Sequence, residues 1–271
     1  MQRRVQPTLA ETAWNKVPEI TALFWIIKVL GTTIGETGAD YLSETLGIGL
    51  ALTTVIASAV LVGGLVVQFR TRRYTPAVYW PVVVLISVVG TLITDNLTDK
   101  LGVPLEVSTI AFGAALAVTF AVWYRYEGTL SIHTIVTTRR EAFYWLAILF
   151  TFSLGTAAGD LVSERFAIGY WQSAMIFGAA IALVALAYYR FGLGEVTAFW
   201  IAYILTRPLG ASLGDYLTQP ASHGGLGFST TTISLVFLGV IVAAVVYLTL
   251  QQREQDLARG PARFAEEPLS P

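Results

Sequence analysis

The sequence predicts an all-α integral membrane protein, with eight transmembrane helices arranged as four parallel tandem helical hairpins related by pseudosymmetry. Three observations carry this. Hydrophobic residues make up 55% of the 271 and charged residues only 13%, with a mean hydropathy of +0.64, which lies outside the range of soluble domains. Apolar stretches of about 20 residues, the length that crosses ~30 Å of hydrocarbon at about 1.5 Å per residue, recur along the chain. A motif of glycine followed by acids, "GTTIGETGAD" from Gly31, returns as "GTLITDNLTD" from Gly90, "GTAAGDLVSE" from Gly155 and "GASLGDYLTQ" from Gly210.

The predicted spans are 20–42, 48–69, 77–97, 105–124, 142–162, 169–189, 196–217 and 229–250. Within each pair the connection is short ("SETLG", "TDKLGVP", "SERFAI", "TQPASHGGLG"), which makes helical hairpins, because an isolated β-hairpin would leave its edges unpaired in lipid. One transmembrane domain therefore covers 18–250, in repeats of about 18–75, 76–140, 141–194 and 195–250. It is preceded by a polar segment, 1–17, that shows no cleavable targeting sequence. The polar, proline-bearing stretch from Gln251 reads as a disordered tail, 251–271.

Charge sets orientation and excludes partners. Thirteen of the 17 basic residues lie at the N-terminus, between hairpins or in the tail, whereas only Lys100 and Arg165 lie in connections inside hairpins. Positive-inside places both termini in the cytoplasm of a multi-pass inner-membrane protein. A net charge of −1 without a large basic patch excludes nucleic acid as a partner, and the absence of cysteine excludes disulfides and thiolate metal sites. The bilayer is the expected partner, and a homo-oligomer is left open.

Aligned on Gly31, Gly90, Gly155 and Gly210, the repeats carry Glu36, Asp95, Asp160 and Asp215 at plus five, and Asp40, Asp99, Glu164 and Gln219 at plus nine. Leading-glycine spacings of 59, 65 and 55 residues each cover one hairpin and argue for tandem duplication. Gly-x-x-x-Gly lets helices approach closely, and residues at i and i+4 share one helix face, so each acid pair points one way. Acids within a span usually face an interior and mark an ion or substrate path, although solvated helix ends also carry acids, a reading that suits Asp40, Asp99 and Glu164. Lys28 and Arg207, both three before the leading glycine in this alignment, are the expected buried counter-charges. Pro208 interrupts hydrogen bonding beside Arg207.

Four tandem two-span units with an aromatic-rich first helix leading to G-T-x-x-G-[DE] resemble a bacterial membrane-protein family built of a four-fold repeat of unknown function, often with one tryptophan per repeat. The resemblance covers about residues 18–250. Trp80, Trp145 and Trp200 lie ten before the leading glycine, but Trp25 lies six before Gly31, a departure from the pattern. It implies the architecture and no substrate.

The donors offered by the spans are hard oxygens: carboxylates, Thr32, Thr33, Thr91, Thr94, Thr156 and Asn96. Such sites suit manganese, magnesium, calcium, alkali ions or protons. His133 and His223 fall in connections. The expected function is transport of a hard cation, a divalent metal such as manganese, by proton-coupled export, with Glu36, Asp95, Asp160, Asp215, Asp40, Asp99 and Glu164 as ligands and the cation as substrate rather than cofactor. Two alternatives stand beside it: a transporter of a small organic or cationic metabolite, and a non-transport scaffold. No Ser-His-Asp, HExxH or phosphate-loop motif points to an enzyme.

Overall fold

The computed structural model describes residues 14–259, and among them it contains eight long helices and no strand. These are α1 (Ala22–Asp40), α2 (Leu50–Arg70), α3 (Pro76–Asp95), α4 (Leu105–Glu127), α5 (Thr138–Asp160), α6 (Tyr170–Phe191), α7 (Glu195–Thr218) and α8 (Thr230–Arg259). Seven are long and apolar enough to cross a membrane. The eighth, α1, carries Lys28, Glu36 and Asp40 within its 19 residues. Local sequence explains the boundaries. Thr21 and Thr137 cap α1 and α5 by accepting from the amides of Phe24 and Arg140, and Pro76 supplies the preset φ of a first helical position. Gly128 and Gly192, at φ 68° and 72°, close α4 and α6 in the left-handed conformation.

The odd-numbered helices form an inner ring in which α1 meets α3, α3 meets α5, α5 meets α7 and α7 returns to α1. The even-numbered helices lie outside. Each packs on the inner helix of the next repeat, α2 on α3, α4 on α5, α6 on α7 and α8 on α1, while the two helices of one unit scarcely touch. The expected compact hairpins are thus opened out. A π-helical turn follows α1, α3 and α5 (Tyr41–Thr45, Asn96–Lys100 and Leu161–Arg165), and glycines with positive φ (Gly47 and Gly49, Gly102, Gly169) then redirect the chain onto the neighbouring unit. The outer helices present apolar side chains outward, among them Val55, Val62, Ile110, Leu183 and Leu235.

One contact repeats around the ring. A Cβ added to Gly35 would lie 2.7 Å from Cβ of Ser87; on Gly90, 2.7 Å from Cβ of Phe152; on Gly155, 2.5 Å from Cβ of Arg207; and on Gly210, 2.6 Å from Cβ of Thr32. Each glycine therefore receives the residue three before the corresponding glycine of the next repeat. The equivalent glycine in the first repeat is Gly35, not Gly31, where an added Cβ meets only Val84 at an ordinary 3.7 Å. The leading-glycine spacings become 55, 65 and 55. Trp25 then lies ten before its glycine like Trp80, Trp145 and Trp200, and the apparent departure disappears. The string "GTTIG" from Gly31 concealed this, because it matches "GTAAG" from Gly155 more closely than "GETGA" from Gly35 does.

A tie at the end of the bundle bearing the inter-repeat loops joins three connections. Lys16 forms a 2.6 Å ion pair with buried Glu141 and donates to the carbonyl of Phe69, Gln68 donates to the other Glu141 oxygen, and the Asn15 side chain accepts from the amide of Ile135. Arg73 grips Asp256 through two bonds of 2.8 and 2.7 Å. Asp256 belongs to α8, which continues to Arg259, so the expected disordered tail is helical in its first nine residues, 251–259. The rest of that tail and positions 1–13 of the N-terminal segment lie outside the described residues.

Replacing Gly155 by alanine is expected to destabilise the fold by about 1–3 kcal/mol, because the new methyl strikes the stem of Arg207. Gly178→Ala, on an outer helix with nothing within 4 Å, is the control. Thermal unfolding of the purified protein checks the pair, and equal loss at both positions would remove the glycine contact from its central role.

Candidate functional site

The corrected register stacks equivalent residues of the four inner helices in layers. Lowest, toward the inter-repeat loops, is an aromatic collar. Eleven before each glycine stand Phe24, Tyr79, Tyr144 and Phe199, and each ring meets the tryptophan of the next repeat: Phe24 with Trp80 (5.6 Å between centroids), Tyr79 with Trp145 (5.4 Å), Tyr144 with Trp200 (6.3 Å) and Phe199 with Trp25 (5.9 Å). The Tyr79 and Tyr144 hydroxyls hydrogen-bond to each other. Tyrosine and tryptophan here supply large rigid surfaces, and the collar fills this end of the ring with side chains that are buried, except for half-buried Trp25.

Above it lies Lys28, 1% exposed, with Nζ 3.9 Å from the centroid of Phe152 and 4.1 Å from that of Tyr203. Its ammonium has no hydrogen-bond partner. Lys28 was expected against a carboxylate, and the structure instead sets it between aromatic faces, seven before Gly35 and so one turn below the register of Arg207.

The next layer belongs to Arg207, fully buried. Its Nη2 donates to Oε2 of Glu36 at 2.6 Å, to Oγ1 of Thr156 at 2.8 Å and to Oγ1 of Thr91, while Nη1 donates to the Thr32 carbonyl at 2.9 Å. Glu36, Thr91, Thr156 and Ala211 each follow their glycine by one residue, so one side chain from the fourth repeat is held by equivalent positions of the other three. Glu36 is therefore not the counterpart of Asp95, Asp160 and Asp215, as the first alignment had it. That counterpart is Asp40, five after Gly35.

Asp40, Asp95, Asp160 and Asp215 form the layer above. Asp215 is buried and the other three are half-buried. They act on one another electrostatically: Asp95 with Asp160 and Asp40, Asp215 with Asp160 and Asp40, and each of the four with Glu36. The last layer, nine after each glycine, holds Glu44, Asp99, Glu164 and Gln219, of which the three acids are exposed. Glu44 was missed because the four-residue slip put Asp40 in its place; the tryptophan spacing was the signal that could have found it. His133 pairs with Glu195 at 2.9 Å away from these layers. Among the described residues no three His, Asp or Glu side chains are disposed to hold a metal ion.

These features define a helical repeat protein, with eight long helices among the described residues, in which four inner helices surround a graded column of aromatic, cationic and acidic side chains. The chain belongs to the family described as Repeat of Unknown Function (DUF347), whose model matches four times, at 23–74, 78–129, 143–193 and 198–254. Each match starts 12 residues before Gly35, Gly90, Gly155 or Gly210, the register the packing assigns. The chain matches no curated protein and no solved structure.

Glu36→Gln is expected to cost about 3–5 kcal/mol of stability, since it leaves a buried guanidinium without its only carboxylate partner. Asp99→Asn, at an exposed position, is expected to stay within about 0.5 kcal/mol of the parent. Denaturant unfolding in detergent distinguishes the two, and a tolerated Glu36→Gln would mean that the ion pair is not a structural element.

Proposed function

We propose that the chain is a multi-pass membrane transporter of a hard cation, coupled to protons, whose path runs along the centre of the inner ring. The aspartate layer carries this reading. Glu36, Asp40, Asp95, Asp160 and Asp215, buried or half-buried, face only Lys28 and Arg207 as buried central bases. Full ionisation leaves an excess of three negative charges in a site with little water. Such an excess is held by protons or by a bound cation, and exchange of one for the other is the elementary step of proton-coupled transport. Exposed Glu44, Asp99 and Glu164 give the layer an electrostatic entrance on one side, and the aromatic collar closes the other. All-oxygen donors favour manganese, magnesium or calcium over softer metals.

The apolar outer helices, seven of them with membrane-spanning length, support insertion in a bilayer, and the four-fold recurrence of the glycine and tryptophan contacts supports a pseudo-fourfold axis along its normal. The basic residues at the inter-repeat loops support cytoplasmic termini at the inner membrane of a bacterium, with the acidic entrance on the outer side and export as the direction. A second reading, transport of a small organic cation, rests on Lys28, an ammonium already held between Phe152 and Tyr203.

Cysteines introduced at Arg70 and at Ser222, in a chain with none of its own, are expected to react with an impermeant maleimide from opposite sides of the membrane; labelling from one side overturns the topology. Asp95→Asn and Asp160→Asn are expected to abolish cation uptake into proteoliposomes while the protein stays folded. Undiminished transport of manganese, magnesium, calcium and alkali ions in both variants sinks the cation pathway, and retained transport of an organic ammonium alone selects the second reading.

A further inference from the structure

The guanidinium of Arg207 does not match the oxygens around it. Three acceptors, Oε2 of Glu36, Oγ1 of Thr91 and Oγ1 of Thr156, converge on Nη2, which bears two hydrogens. Both threonine hydroxyls are already committed as donors within their own helices, Thr91 to the carbonyl of Ser87 at 3.2 Å and Thr156 to that of Phe152 at 3.1 Å. They therefore offer only lone pairs to the centre. Nε of the same guanidinium is buried with no partner at all. An arginine fork is selected for planar, bidentate recognition, and here one nitrogen is over-coordinated while another is orphaned. Oxygens converging on a point suit a sphere better than a fork.

We infer that this point is a binding site for a single alkali cation, occupied in this structure by the protein's own guanidinium. The ligands are the Glu36 carboxylate and the Thr91 and Thr156 hydroxyls, with the Thr32 carbonyl, now on Nη1, beside them. One carboxylate among neutral oxygens balances one charge, so exchanging Arg207 for a monovalent ion leaves the buried charge unchanged, whereas a divalent ion leaves one positive charge uncompensated. Arg207 has somewhere to go: Asp40 and Asp160 both lie within its electrostatic reach. Pro208 withholds the amide that the Ile204 carbonyl would accept in a continuous helix, which weakens α7 beside the moving residue. The inference deepens the transport reading and rests on it. It names a second ion and a site one layer below the aspartates, with Arg207 as a tethered competitor.

The test uses the full chain in lipid nanodiscs, with sodium, lithium or potassium chloride replacing choline chloride at constant ionic strength and the thermal midpoint as readout. The wild type is expected to be unmoved, since its site is filled. Arg207→Gln vacates the site, and at an ion concentration about ten times its dissociation constant the midpoint is expected to rise by roughly 3–6 °C. The rise is expected to vanish when Thr91→Val and Thr156→Val are added, and to persist when Asp160→Asn is added instead. A folded Arg207→Gln protein that responds to none of the three ions overturns the inference, as does a rise that survives loss of both threonines or an equal rise in the wild type. If Arg207→Gln does not fold, Arg207→Met takes its place, because it keeps a long side chain and puts no cation at the three oxygens; absence of a response there is equally fatal. Loss of transport in the aspartate variants together with no alkali response removes this site alone. An alkali response with transport indifferent to the aspartates removes the cation pathway and leaves the site standing.

Discussion

Everything in this molecule depends on how closely four inner helices can approach, and that distance is set by four hydrogen atoms. At Gly35, Gly90, Gly155 and Gly210 a methyl group would overlap the neighbouring helix, so the absence of Cβ is what lets Ser87, Phe152, Arg207 and Thr32 lie against backbone. The close approach brings carbonyls and hydroxyls within reach across the seams, as where Thr94 donates to the Ser153 carbonyl and Thr32 to that of Thr206. It also leaves a column only one side chain wide. Into that width the chain fits an arginine, a lysine and an aromatic collar, so the centre is filled by protein on one side and by acids on the other.

Duplication supplied four equal positions, and the chemistry lies where they differ. Three before the glycine stand threonine, serine, phenylalanine and arginine; one after stand glutamate, two threonines and alanine. A ring of four arginines could not share one axis, and a ring of four glutamates would repel itself. One of each, in the last repeat and the first, gives a neutral pair on the axis and leaves two threonines as uncharged acceptors. Like the tryptophans, the aspartates are alike in all four units, and theirs is the layer where charge accumulates.

Much of the architecture was legible in composition and spacing, because a long apolar stretch admits few structures. Every predicted span coincides with a helix to within about four residues, except that α8 runs nine residues past its predicted end. The site was legible in its parts and misread in its register. Glu36 and Asp40 are both acids in one turn after a glycine, and only the tryptophan ten residues before Gly35, or the packing itself, says which of them belongs with Asp95. Two further features had no signal in the sequence. That each outer helix leaves its own partner for the next repeat goes with a π-helical turn in three of the four units, and such a turn leaves no composition mark. That Lys28 meets rings and not carboxylates depends on a register four residues away from where it seemed to lie.

The ring closes head to tail. The bond between Arg207 and Glu36 joins residues 171 apart in the chain, and α8, the last of the long helices described, packs on α1, the first of them. During synthesis at about 5–20 residues per second, Glu36 therefore spends roughly 10–35 s without the group that neutralises it. Until α7 arrives, α1 carries an ammonium and two carboxylates with no lasting partners, and it is the one long helix among the described residues that is not apolar enough to cross a membrane. The first helix therefore waits, with Glu36 unmatched, until the last repeat delivers the guanidinium that pairs with it. Biogenesis, by this geometry, is a race that the first helix can only finish after the seventh has been made.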